Sequence, residues 1–240
     1  MNAAEKLRQY SARSNDIHQE YLGDPELLER YQRFVAWQID YLLPLYEDLR
    51  ESPDYAAAVD FVVSDLMGIG VSRRDHDIAR IVPIMSRMLP DTALHTVAAA
   101  MELNARVLAI NVSICRQLYG EKPVDSDFSE FDYCSACRRA SSLDESIELI
   151  QLIRELGRKL EHIVHIPMIR LTLKAMHAPA RLAGFIALQS FLEKGYSTFV
   201  ALEDVDQFLD DLTRRMNEVF TRIFTEPLER LNRHIRVIDA

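Results

Sequence analysis

"SPDYAAAVDFVVSDLMG", Ser52 to Gly68, admits two readings, and the choice between them decides the fold. Phe61, Val62 and Val63 are strand-forming residues, but Asp60, Ser64 and Asp65 interrupt the run. Ser52 before Pro53 has the look of an N-cap with proline at the first helical position, and Gly68 that of a residue closing a helix. Between them Tyr55, Val59, Val62, Val63 and Leu66 recur at helical intervals, with Asp60 and Ser64 on the opposite face. The spacing therefore predicts a helix, valines notwithstanding.

The same pattern extends outward. From Pro25 to about Arg50, Leu28, Tyr31, Val35, Gln38, Leu42, Leu45 and Leu49 form a seam at spacings of three and four, with Phe34, Trp37 and Tyr41 on a second apolar face. Pro44 is expected to bend this helix, because it lacks an N–H and crowds the carbonyl of Asp40. Ser72 and Asp75 suggest a capping box for a helix that Pro83 kinks. A long helix is predicted over Asp91–Tyr119, with Asp91 as its N-cap and Gly120 after it. "EKPVDSDFSE" reads as a loop. Further helices are expected over 128–140, over 142–164 (Ser142 with Glu145 as capping box), from Pro167 to Met176, from Pro179 to Phe199, over 205–224 and over 227–236. These expectations amount to an all-α fold, a compact bundle of about nine or ten helices in a single domain spanning 1–240, with 1–24 a peripheral N-terminal arm.

Composition agrees. The 240 residues are 48% hydrophobic and 27% charged, with only 7 glycines, an ordinary globular balance too poor in glycine for a turn-rich β protein. A formal charge of −9 disfavours nucleic acid and anionic membranes as partners. No run approaches 18 apolar residues and the first residues lack an apolar signal core, so a cytoplasmic protein is expected. Three cysteines argue against a disulfide framework.

Several segments are similar to the FFLEELY-motif proteins, a bacterial family without an assigned activity. "FVVSDLMG" matches at Phe61, Leu66 and Gly68, with Asp65 as a conservative replacement and Ser64 in place of an acid. "RRDHDIARIVP" (Arg73 to Pro83), "MLPDTALHTVAAAMELN" (Met88 to Asn104) and "PARLAGFIALQSFLEKGYSTF" (Pro179 to Phe199) also resemble that family. The resemblance implies an all-helical fold and offers no catalytic residues.

Sites are sparse. In the long helix Leu94, Val97, Met101, Asn104, Leu108, Asn111, Cys115 and Leu118 keep a heptad-like seam. A buried amide without a partner costs about 1–3 kcal/mol, so Asn104 and Asn111 either meet neighbouring helices or face a polar pocket with Glu102 beside it; Glu102 is expected to pair with Arg106. Asp65, Arg73, Asp77 and Arg80 form a candidate structural charge network, with an arginine reaching Asp65. Ala180, Ala183, Gly184 and Ala187 at i, i+3, i+4 and i+7 give a small-residue face for helix packing or a subunit contact. Cys134 and Cys137 read as half-buried helical thiols; with His162 and His165 they lie outside zinc-finger spacing. Asp91–His95 and Glu161–His165 are four apart, but no ExxH occurs, so neither a metal nor another cofactor is expected. No nucleophile elbow or phosphate loop is present. The expected function is a non-catalytic interaction or scaffold protein, with a homodimer as its candidate assembly; the alternative is a small-ligand-binding or metal-dependent, oxygenase-like helical enzyme with its pocket near Asn104 and Asn111.

Overall fold

The computed structural model describes residues 2–67, 90–120 and 122–231. These are helical throughout, with no strand among them. The order is α1 (Ala3–Leu22), α2 (Pro25–Leu42), a 3-10 turn (Leu43–Tyr46), α3 (Glu47–Glu51), α4 (Ala56–Phe61) continuing into a π-turn (Val62–Leu66), α5 (Asp91–Tyr119), α6 (Glu130–Ala140), α7 (Leu143–Val164), α8 (Pro167–Leu182), α9 (Ile186–Ala201), α10 (Val205–Thr225) and a 3-10 turn (Leu228–Arg230).

Local chemistry sets most boundaries. Asn2 and Glu5 close a reciprocal capping box on α1, each bond 2.9 Å. Asp24 accepts from the amides of Glu26 and Leu27 ahead of α2. Ser129 and Asp132 cap α6 reciprocally. Ser142 accepts from Glu145 N on α7, but the carboxylate of Glu145 accepts from Ser141 Oγ (3.1 Å). Gly120, at φ 51°, ends α5 in a backbone region that costs glycine little.

Proline and the local turns redraw several expected boundaries. Pro44 does more than bend its helix: the chain tightens into the 3-10 turn, and α3 follows as a separate element. Ser52 serves α4 through its carbonyl, which accepts from Tyr55 N and Ala56 N, and no side chain caps the helix. α4 then widens: Met67 N donates to Val62 O at 3.0 Å, a five-residue step, and Ser64 Oγ turns back onto the Asp60 carbonyl. Pro90, not Asp91, occupies the N-cap of α5. α8 passes through Pro179 and stops at Leu182. The turn at Gly184 (φ 82°) parts it from α9, so the helix expected to start at Pro179 is divided between two elements. Of the segment 227–236, the described part is the short 3-10 turn.

The first 24 residues are not an arm. α1 runs beside α5 in parallel, and its residues Ala3, Leu7, Ser11, Ser14 and His18, spaced as a helical stripe, are buried. Leu7 packs with Leu94, Ala98 and Met101, Ile17 meets Leu108 and Val112, and Glu20 pairs with Arg116. α5 is long and apolar enough to cross a membrane by length and composition, although the sequence shows no unbroken apolar run. Here α1, α6 and α7 pack around it, as around the core helix of a bundle. The main core gathers Phe34, Cys115, Tyr119, Tyr133, Cys134, Cys137 and Ile223 from α2, α5, α6 and α10.

Candidate functional site

A cavity of about 720 Å³ lies on the side of α5 opposite α1. Its walls come from α2, α4 with its π-turn, and α5 through α10. Among the described lining residues none is charged: aliphatic and aromatic side chains dominate, from Val107 and Ile110 on α5 to Leu160 on α7, Phe199 on α9 and Phe220 on α10. Cavities of this size and lining hold small apolar molecules.

The few polar lining groups are mostly engaged. Gln38 Nε2 donates to Tyr133 OH (3.2 Å), Thr96 Oγ1 to Thr92 O (3.1 Å), and Ser146 Oγ to Ser142 O (2.9 Å). Gln189 Nε2 donates to both Leu173 O and Glu193 Oε1, each at 2.8 Å. Asn104 lines the cavity and donates to Ser14 Oγ on α1 at 3.2 Å. Asn111, one heptad further along, also lines it; no side-chain hydrogen bond ties it to a described residue. Its amide is the largest of the lining polar groups without a side-chain hydrogen bond to a described residue, beside the hydroxyls of Tyr46, Thr172, Tyr196 and Thr198.

Glu102 does not share that pocket. It sits beside the lining on the α1 side and accepts from the Tyr10 hydroxyl; burial first, then this carboxylate, raise the phenol above its ordinary range. Nor does Glu102 pair with Arg106, which reaches across to Glu148 on α7 at 3.0 Å.

Of the expected charge network, Asp65 is described and Arg73, Asp77 and Arg80 lie outside the described residues. Asp65 pairs with Lys194 of α9 and lies 3.1 Å from Ser64 Oγ. Glu193, next to Lys194 on α9, pairs with His177 at 2.9 Å. Neither contact has a local signature, because the partners are far apart in sequence. The expected small-residue face does not form: Ala180 is buried on α8, while Ala183, Gly184 and Ala187 are exposed around the turn into α9.

The thiols of Cys134 and Cys137 are fully buried rather than half-buried, and burial pushes both, with Cys115, up to about 12. His162 and His165 are exposed on and just after α7. His95 Nδ1 lies 2.9 Å from the Asp91 carbonyl. Among the described residues no group of three or more histidines, cysteines or carboxylates converges on a metal position. A second hollow, about 550 Å³, lies at the surface beside Gln117, Gly120, Asp132 and Arg139. Apart from Lys122, its charged groups are occupied: Asp132 caps α6, and Arg139 bonds Gln117 and Ser135.

No curated protein and no solved structure matches the chain. One family model does, over residues 17–229, and its span takes in every described wall of the apolar cavity together with the C-terminal end of α1, residues 17–22. The chain thus belongs to the family described as a domain of unknown function, DUF8198.

Proposed function

We propose that the protein is a non-catalytic binding protein for an uncharged, elongated apolar molecule held in the cavity between α5 and α7–α10. The observation that carries this reading is a cavity of about 720 Å³ without a charged residue among its described lining. Water is a poor filler for such walls, since it needs two to four polar partners. An ionised head group inside would be desolvated without a counter-charge. A neutral chain bearing one hydroxyl or carbonyl fits, because Asn111 can donate to it and accept from it. Catalysis finds no support in the described lining, which offers no nucleophile beside a base and no carboxylate.

The test is a titration with the uncharged fluorescent probe N-phenyl-1-naphthylamine, followed by displacement with hexadecanol and with palmitate. One saturable site is expected, emptied by hexadecanol well before ionised palmitate. A Val107→Trp variant, which fills the space, should lose the probe while keeping its helical signal. Absence of probe binding, with Ile81→Ser and Ile84→Ser each collapsing stability, would assign the volume to the chain's own 68–89 stretch and overturn the reading.

A further inference from the structure

α8 shows three faces. Ile169, Thr172, Leu173, Met176 and Ala180 look inward and line the cavity. Met168, Leu171, Ala175, Ala178 and Leu182, spaced three and four apart, form a stripe that is exposed along its whole length; Leu171 is 66% and Leu182 90% accessible, and Ile186 just beyond the turn is 52%. Water-facing stripes of large apolar residues mark interaction surfaces. Beside the stripe run Arg170, Lys174, His177 and Arg181.

The charge on this helix is the reverse of the chain's. The protein carries a net −9, yet no acidic residue occurs from Pro167 to Leu192. Most arginines elsewhere are paired, for example Arg50 with Asp60, Arg106 with Glu148 and Arg158 with Asp206. Arg170, Lys174 and Arg181 have no ion-pair partner among the described residues. Only His177 is engaged, by Glu193.

We propose that the exposed face of α8 and the turn at Gly184 dock on an anionic lipid surface, with Leu171, Leu182 and Ile186 entering the head-group region and Arg170, Lys174 and Arg181 meeting phosphates. An apolar stripe flanked by unneutralised basic residues is the pattern of a helix lying in a membrane interface, and each basic residue near an anionic surface contributes about fivefold in affinity. A second copy of the chain fits less well, because antiparallel pairing of the stripe sets Lys174 near its own counterpart and Arg181 against the other copy's Arg170. A partner helix would also want large knobs at mid-seam, where Ala175 and Ala178 stand. The net charge does not oppose docking, since it is screened beyond about 8–10 Å while these three cations are at the contact. This assignment does not depend on what the cavity holds, although the inward side of the same helix is a cavity wall.

The experiment is co-sedimentation of the full chain with vesicles of phosphatidylcholine alone and of phosphatidylcholine and phosphatidylglycerol in equal parts, at low and high salt. Binding to the anionic vesicles is expected, at least tenfold tighter than to neutral ones and weakened by salt. Arg170→Glu with Lys174→Glu and Arg181→Glu should abolish that preference. Leu171→Ser with Leu182→Ser should abolish binding while circular dichroism stays unchanged, since both side chains are already in water. Arg8→Glu, on exposed α1 surface, should change nothing. Equal binding to both vesicles, or none, overturns the proposal. So does a dimer by light scattering that Leu171→Ser with Leu182→Ser dissolves while vesicle binding is absent, which would assign the stripe to a second copy.

Discussion

Arg215, buried on α10, donates to both carboxylate oxygens of Asp48 on α3, at 2.5 and 2.6 Å, and to the carbonyl of Leu45 at 2.5 Å. One side chain thus ties the last long helix to the point where Pro44 breaks α2. The Leu45 carbonyl belongs to a 3-10 turn, where regular helix bonds are interrupted, so the guanidinium supplies a partner the helix cannot. Arg215→Ala removes all three bonds and leaves that carbonyl buried; a loss of about 2 kcal/mol is expected, since Asp48 itself is largely solvated. Arg215→Lys should recover only part of it, because a lysine cannot bridge both oxygens and the carbonyl in one plane. Urea unfolding of the two variants checks both statements.

The same contact makes stability depend on acid. The hydrogen bond from Arg215 holds the Asp48 carboxyl below its usual range, and the Ser129 amide does the same for Asp132. Both folded-state values are depressed, so their stabilisation is complete above the unfolded value, near about pH 4, and fades as pH falls through the folded values. Urea midpoints followed downward from neutral pH should therefore drop below that point. In Arg215→Ala the Asp48 share of the drop should vanish and the Asp132 share remain; a wild-type acid limb in the variant would refute the assignment.

Gly157 on α7 lies directly over Leu209 on α10. A Cβ there would stand 2.5 and 2.7 Å from the two Leu209 methyls and 3.1 Å from its Cγ, so the whole branched end of buried Leu209 must leave its present position toward the cavity that both residues line. Alanine ordinarily gains about 1 kcal/mol over glycine within a helix; here overpacking of about 1–3 kcal/mol outweighs it. Gly157→Ala should destabilise by about 1 kcal/mol, and adding Leu209→Ala should make the alanine at 157 favourable. A double-mutant cycle reads the change of sign.

Cys115, Cys134 and Cys137 are buried with thiols pushed up to about 12. The reactive thiolate is accordingly scarce at neutral pH and out of reach. Iodoacetamide should leave all three unlabelled in folded protein and modify all three in denaturant. Labelling of Cys134 or Cys137 under native conditions would show that α6 opens locally.

The all-α class and the limits of α5 and α10 were legible because they rest on local signals: apolar residues at spacings of three and four, and glycine after a run. The stretch from Ser52 to Gly68 shows how far that goes. Its periodicity identified a helix, but only the tertiary contact of Phe61 with Phe191, rings stacked at 5.4 Å, and with Gly195 shows why the chain follows α9 there. The division at Gly184 was missed because alanines on either side read as one continuous face, whereas a positive φ leaves no trace in spacing. Asn104 and Asn111 stood out as polar members of an apolar seam. What separates them, Ser14 on α1 against an open cavity, depends on residues some 90 positions away.

That separation gives opposite outcomes for the same substitution one heptad apart. Asn104→Leu removes the 3.2 Å hydrogen bond between two helices at the fully buried Ser14 Oγ, and loss of a buried hydrogen bond costs about 1 kcal/mol or more. Asn111→Leu takes an amide without a described hydrogen bond out of an uncharged apolar lining and substitutes a bulkier side chain of the same branched shape, for which the cavity has room, which should leave stability unchanged or raise it by about 1 kcal/mol. In ligand binding the order reverses. Asn111→Leu should weaken hexadecanol at least tenfold while leaving the probe, which has no hydroxyl, almost untouched; Asn104→Leu, once allowance is made for its lower stability, should change neither. If Asn111→Leu proves the more damaging to folding, the amide is a structural hydrogen-bonding group and does not read a ligand.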